Sequence, residues 1–105
     1  FAASEIACRA GLAALEDESH VENAVETAAW ARDYMYDTLA CQTWESAGNF
    51  VLCEVGSGSE IAAGAQREGI IVRDTTSFGL PECIRITCGT REETKRAVDV
   101  INDLL

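Results

Sequence analysis

Residues 69–90, GIIVRDTTSFGLPECIRITCGT, contain two β-branched runs separated by an irregular segment. The first run, over 70–74, predicts one strand and the second, over 84–88, predicts another, because Val, Ile and Thr favour a pleated backbone. The only proline, Pro81, lies in the segment between them. The rest of the chain is therefore expected to be arranged around these two strands.

Each of these strands carries one arginine, Arg73 and Arg85, within its β-branched run. Side chains alternate along a strand, so Arg85 is expected on the face opposite its isoleucine neighbours, while Arg73 lies near the end of its own strand. A guanidinium there costs free energy unless an anion meets it, and two permanently charged forks on neighbouring strands suit a carboxylate or a phosphate. The alternative is that each arginine pairs with an internal acid, such as Asp74 or Glu82.

Two capping boxes predict where helices begin. Ser19 is followed three residues later by Glu22, and Thr90 by Glu93, so that a hydroxyl and a carboxylate can satisfy backbone N–H groups reciprocally. The first box predicts a long helix that runs to about Ala40, and the second predicts the last helix of the chain. Their apolar faces are expected to be formed by Val21, Val25, Ala28, Met35 and Leu39, and by Val98, Ile101 and Leu105.

The remaining segments complete a small α+β fold. Residues 4–15 are alanine-rich at helical spacing, and residues 60–68 read as a short helix. Residues 41–48 are expected to be irregular, whereas 49–55 read as a strand with two apolar faces, which indicates an inner strand. The predicted fold class is α+β, with a sheet of three or more strands covered by helices on one side and preceded by a long helix.

The charge balance is strongly acidic, with 18 Asp and Glu against 8 Lys and Arg, a net charge of −10. A nucleic-acid partner is not expected, because phosphate binding needs a basic surface. No apolar run approaches the roughly 20 residues of a membrane span, so we also expect no membrane partner. Excess carboxylate with a single lysine, Lys95, predicts a salt-loving source, and the alternative is an ordinary acidic cytoplasmic protein.

The cysteines do not form a metal-binding or disulfide pattern. There are five, without any C-x-x-C pair, and the single His20 is far from them in sequence. We therefore expect no metal site and interpret them as buried, reduced thiols of a cytoplasmic protein. They are Cys8, Cys41, Cys53, Cys83 and Cys88.

Three segments also resemble a known family. Residues 69–98, GIIVRDTTSFGLPECIRITCGTREETKRAV, resemble the C-terminal end of the histidinol-phosphate aminotransferases, pyridoxal-phosphate enzymes of fold type I, in a haloarchaeal-like form. Residues 46–52, SAGNFVL, and 7–15, ACRAGLAAL, resemble preceding segments of the same family. The chain begins with phenylalanine, so with this resemblance we expect it to be a segment of a longer enzyme.

The resemblance implies a domain organisation and roles for two residues. Residues 1–40 would be a helical segment that links from a large domain, and 41–105 would be the small α+β domain. Arg85 matches the arginine that grips the anionic group of the substrate, and Arg73 matches the second arginine, near the phosphate. No catalytic residue is expected in this segment, because Lys95 lacks the context of the lysine that binds pyridoxal phosphate.

The resemblance further implies a transaminase that acts on histidinol phosphate and imidazole acetol phosphate in histidine biosynthesis. Its partners would be a small phosphorylated amine substrate, the large domain of the same enzyme and a second copy in a cytoplasmic homodimer. Two alternatives stay open: a related threonine-phosphate decarboxylase, and a non-catalytic regulatory module that binds a small molecule.

Overall fold

The computed structural model describes residues 2–105 of the chain. This part of the chain forms four α-helices and four strands, which confirms the predicted α+β class. Their order is α1 (Glu5–Glu16), α2 (Glu18–Thr38), β1 (Gln42–Trp44), β2 (Phe50–Glu54), α3 (Gly58–Arg67), β3 (Arg73–Asp74), β4 (Cys83–Thr87) and α4 (Arg91–Leu104), with a 3₁₀ turn at Thr76–Phe78.

The strands form one antiparallel sheet in the order β1-β2-β4-β3. Strand β2 is an inner strand, as its two apolar faces predicted. Strand β1 corrects the expectation that 41–48 is irregular, because Gln42–Trp44 pair with 52–54. Three residues are too few to show strand periodicity, and the pairing with β2 decides their conformation.

Strand β3 is shorter than the predicted strand over 70–74. Only Arg73 and Asp74 pair with β4. The Ile70 N–H donates to the Ala65 carbonyl at 2.9 Å, so the chain is still held to the end of α3 there. Gly69 has φ 81°, the left-handed conformation that ends a helix and favours glycine. The chain thus reaches the edge of β4 only at Arg73.

One face of the sheet carries the core, and the other face is open. The core side chains from β2, β4, α2, α3 and α4 are fully or almost fully buried, and the largest include Met35, Ile84, Ile101, Val51 and Val98. Arg85 points to the opposite face from Ile84 and Ile86, as predicted. Helices α2, α3 and α4 therefore cover one side of the sheet.

The predicted start of the long helix is wrong by two residues. The Asp17 carboxylate accepts the His20 N–H at 3.1 Å and caps α2, so Ser19 lies inside the helix. Aspartate is among the preferred N-cap residues, and Asp17 is also the residue at which α1 ends. Helix α2 ends at Thr38, where Asn102 donates to the Thr38 carbonyl at 2.9 Å. The capping box of α4, Thr90 with Glu93, is confirmed.

The N-terminal third of the chain has few packing contacts. Helix α1 has no buried residue, and Val21 and Val25, predicted on the packed stripe of α2, are 55% and 63% exposed. Leu105, predicted on the inner face of α4, is also exposed. Only the second half of α2 meets the core, through Ala31 and Met35. No helix formed by residues 2–105 is both long and apolar enough to cross a membrane.

Candidate functional site

The two predicted site arginines lie side by side on the open face of the sheet. Arg73 of β3 and Arg85 of β4 are register partners, so their side chains leave the sheet on the same face. The same register continues across the sheet, because Arg85 is opposite Leu52, and Leu52 is opposite Trp44. A row of four side chains thus crosses all four strands, with both cations at one end.

Among the residues that the structure describes, no acid lies within ion-pair distance of Arg73 or Arg85. Among residues 2–105 the single ion pair within 4.0 Å joins Arg9 to Glu5, on exposed helix α1. Asp74, one of the two acids considered as internal partners, accepts hydrogen bonds from the N–H and the hydroxyl of Thr76 instead, at 3.0 Å and 2.6 Å. The alternative of internal ion pairs for Arg73 and Arg85 is therefore wrong.

Each of the two arginines has an aromatic ring, rather than an acid, beside its guanidinium. The guanidinium carbon of Arg85 lies 5.3 Å from the centroid of the Phe50 ring, and that of Arg73 lies 6.0 Å from the Phe78 ring. Both distances fall within the range of cation–π attraction, which holds a cation without cancelling its charge. Each guanidinium therefore keeps N–H donors and its full charge for a ligand.

The arginines border an open depression of about 440 Å³ in the exposed sheet face. Its size lies within the range of small-ligand sites, and its two permanent positive charges suit a carboxylate or a phosphate. Its lining residues are Ile71, Val72, Arg73, Asp74, Arg85 and Thr87.

The loop before β2 is held in place by helix α2. Arg32 donates from Nη1 to the Gly48 carbonyl at 2.7 Å, and the Ser46 N–H donates to the Tyr36 hydroxyl at 2.7 Å. This loop leads directly into Phe50. Sequence reasoning missed Phe50, Phe78 and Arg32 as contributors to the site. Alternation shows that Phe50 shares a strand face with Leu52, but it does not give the register that places these residues beside Arg85.

The single lysine of the sequence lies on the surface of helix α4. The side chain of Lys95 is exposed, and its Nζ lies 5.7 Å from the centroid of the Trp30 ring. The same ring faces Arg91 at 4.9 Å. Lys95 thus fits a surface contact. The described residues also contain no group of three or more His, Cys, Asp or Glu side chains arranged to hold a metal ion.

The cysteines are all free thiols, but they are not all buried as expected. Cys53 and Cys83 are buried and Cys41 and Cys88 are half-buried, whereas Cys8 is exposed on α1. Burial raises the pKa of the Cys53 thiol far above its ordinary value, and burial also raises the pKa of Cys41, Cys83 and Cys88. A raised pKa keeps these thiols protonated and poorly nucleophilic at neutral pH.

The sequence of this chain matches a known family over almost its whole length. The model of the family described as aminotransferase class I and II matches residues 1–101. The chain therefore belongs to the class I and II aminotransferases, and the family resemblance seen in the sequence is confirmed.

Individual relatives show which members of this family the chain is similar to. The chain is 78% identical over 105 residues to the histidinol-phosphate aminotransferase of Natronomonas pharaonis, and 65% identical to that of Haloarcula marismortui. It is 36% identical over 108 residues to the histidinol-phosphate aminotransferase of Methanocella arvoryzae. These alignments cover 99–100% of this chain but only 29–30% of the relatives. The first two relatives are haloarchaeal, in agreement with the acidic composition.

A solved structure shows the same fold. A protein of Burkholderia pseudomallei assigned to the aminotransferases matches this chain with a TM-score of 0.68 at 26% identity. The match covers 83% of this chain and 27% of that chain. The small α+β arrangement described above therefore also occurs as part of a longer chain that is assigned to the aminotransferases.

Proposed function

We propose that this chain is the substrate-anion-binding small domain of a histidinol-phosphate aminotransferase. The observation that carries the proposal is the pair Arg73 and Arg85, which lie opposite each other on the open sheet face without an acid partner. The names of the haloarchaeal relatives support the choice of substrate, because histidinol phosphate carries a phosphate that two guanidinium forks can bind.

The proposal assigns different tasks to different parts of a longer enzyme. Residues 1–40 would link to a large domain, and 41–105 would form the small domain. Because Lys95 lacks the sequence context of a cofactor-binding lysine, the lysine and the rest of the pyridoxal-phosphate site would belong to the portion of the enzyme that the relatives contain beyond this match. We further propose a cytoplasmic homodimer that works in histidine biosynthesis.

The chain's own contribution would be binding and orientation. Arg85 extends from an inner strand whose backbone is paired on both sides, so its fork has a rigid base. Arg73 extends from the edge strand and would approach the same anion from a second direction. Two forks that converge on one phosphate fix the position of the substrate, and such fixed positioning lowers the entropic part of an activation barrier. Bidentate contacts also require the planar guanidinium, which lysine cannot replace.

The test uses the full-length enzyme with substitutions at the two arginines. A charged hydrogen bond contributes roughly 1.5–3 kcal/mol, so Arg85→Ala should lower kcat/KM for histidinol phosphate by about 10- to 100-fold. Arg85→Lys should remain impaired because the fork is lost. Arg73→Ala should lower kcat/KM for histidinol phosphate more than it lowers kcat/KM for unphosphorylated histidinol. Arg67→Ala removes an exposed arginine at the end of α3 and is the matched control. It should leave kcat/KM unchanged for both substrates.

Three outcomes would contradict the proposal. Unchanged kinetics for Arg85→Ala would remove the anion-binding role. Equal losses on histidinol phosphate and histidinol for Arg73→Ala would give Arg73 a structural role. Release of carbon dioxide from threonine phosphate, without transamination of histidinol phosphate, would instead assign the related decarboxylase activity.

A further inference from the structure

We propose that Phe50 is a positioning residue for Arg85: its ring holds the guanidinium over the open depression without neutralising it, and Gly48, anchored by Arg32, holds the ring. This inference rests on the proposed anion site and adds to it the elements that keep the site charged and ordered while no anion is bound.

The guanidinium of Arg85 lies over the face of the Phe50 ring. Phe50 is the register partner of Thr87, two residues after Arg85 on the same open face, and the ring centroid lies 5.3 Å from the guanidinium carbon. A carboxylate in that place would occupy the bidentate edge and cancel the charge. The aromatic face attracts the cation and leaves the N–H donors free.

This contact explains an otherwise unfavourable exposure. Phe50 is 37% exposed on a sheet face that no helix covers. An exposed aromatic side chain loses much of the stabilisation that burial would provide. Here the ring lies beside the Arg85 guanidinium, and this attraction would restrict the long side chain before any ligand arrives. An ordered guanidinium binds an anion more tightly, because less entropy is lost on binding.

The ring itself has a defined support. A Cβ atom added at Gly48 would lie 3.0 Å from Cε1 of Phe50, so the ring packs directly against the Gly48 backbone. The Gly48 carbonyl accepts the Arg32 Nη1 hydrogen bond at 2.7 Å. A continuous set of contacts therefore runs from helix α2 through Arg32, Gly48 and Phe50 to Arg85.

The second arginine has a weaker version of the same arrangement. Arg73 lies 6.0 Å from the ring of Phe78, which belongs to the 3₁₀ turn and is 61% exposed. The longer distance is at the limit of cation–π attraction. Phe50 is therefore expected to contribute more to anion binding than Phe78.

The experiment measures inorganic phosphate binding to the full-length protein by titration calorimetry. Phe50→Leu keeps apolar volume but removes the aromatic face, and phosphate should bind roughly two- to fivefold more weakly. Phe50→Tyr keeps the aromatic ring and should bind phosphate as tightly as the unsubstituted protein. Gly48→Ala should also weaken binding by displacing the ring. Trp44→Leu is the matched control: it removes an aromatic side chain 40% exposed in the same cross-strand row, with no guanidinium within cation–π distance, and should have no effect.

A double-mutant cycle separates positioning from structural support. Phe50→Leu should have no further effect on phosphate affinity when Arg85 is already Ala, whereas a purely structural loss would be the same in both backgrounds. If Arg85→Ala alone leaves phosphate binding unchanged, the anion site itself is overturned. If Arg85→Ala weakens binding but Phe50→Leu does not, or Phe50→Tyr fails to restore it, the site stands and the positioning role of Phe50 is overturned.

Discussion

Arg73 and Arg85 are direct register partners in the antiparallel β3–β4 ladder, so two like charges face each other across neighbouring strands. Such a pair destabilises a sheet when nothing neutralises it. Strand β3 has only two residues, so little backbone pairing opposes the repulsion at this edge. The repulsion should therefore lower the free energy of unfolding of the anion-free protein. A bound anion should neutralise the two charges and raise that free energy again.

The first prediction concerns this repulsion. Arg73→Gln in the ligand-free protein should raise the free energy of unfolding at low ionic strength by about 0.2–1 kcal/mol, because one of the two facing charges is removed. Addition of phosphate should stabilise the unsubstituted protein more than the variant. Denaturant unfolding with and without phosphate measures both effects. A variant that is less stable without phosphate, or that gains as much from phosphate, would contradict the prediction.

The second prediction is that stability rises with salt. The chain has 18 acidic and 8 basic side chains, and only one ion pair forms among residues 2–105. Carboxylate repulsion should oppose the compact state until salt screens it. Thermal unfolding in potassium chloride from low to molar concentration should give a steadily rising midpoint. A midpoint that does not change over this series would argue against both the repulsion and the salt-loving source.

The third prediction concerns the close approach of α3 to the chain before β4. The Gly58 N–H donates to the Pro81 carbonyl at 2.8 Å, and a Cβ added at Gly58 would collide with the Cys83 carbonyl oxygen. Gly58→Ala should therefore lower the free energy of unfolding by about 1–3 kcal/mol. Gly11→Ala is the control, since no atom lies within 4 Å of a Cβ there. Equal stability of the two variants by denaturant unfolding would contradict the structure at Gly58.

The fourth prediction concerns the capping box of α4 and its pH dependence. The Thr90 hydroxyl accepts the Glu93 N–H at 3.1 Å, and Glu93 Oε1 accepts the Thr90 N–H at 2.9 Å. Thr90→Ala should cost about 1 kcal/mol of stability. The hydrogen bond from the Thr90 backbone lowers the pKa of Glu93, so the charged carboxylate is the form that the fold favours.

The sign of this pH effect follows from the lowered pKa. The contribution of Glu93 is present above the ordinary pKa of a glutamate and is lost as the pH falls through the lower folded value. The stability difference between the unsubstituted protein and Glu93→Gln should therefore shrink on acidification. Urea unfolding at a series of pH values measures it. A difference that grows toward low pH would be the opposite of what the hydrogen bond requires.

Local signals explain which parts of the fold could be predicted. The Thr90–Glu93 box and the alternation around Arg85 depend on residues close in sequence, and both are confirmed. The start of α2 was misplaced because Asp17 and Ser19 are both good N-cap residues, and only the three-dimensional path of the chain chooses between them. Strand β1 was missed because its three residues become a strand only by pairing with β2.

The site was predictable in its residues but not in its geometry. Two arginines on neighbouring strands were visible in the sequence, but their direct opposition depends on a register that the loop between β3 and β4 sets. The roles of Phe50 and Phe78 depend on side-chain contacts between separate elements. Sequence chemistry suggested acids as partners for arginine, and it had no signal for aromatic rings in that place.

In the part of the chain that the structure describes, helix α2 packs into the core at only one of its ends. Ala31 and Met35 are fixed in the core, while residues 18–26 are exposed. At 1.5 Å per residue, a tilt of about 10° that pivots at Met35 moves Glu18 by about 4 Å. Conversely, a displacement of a few ångströms at Glu18 would correspond to a shift of less than about 1 Å close to the pivot. Arg32 lies beside that pivot, so such a shift would reach the loop before β2 directly.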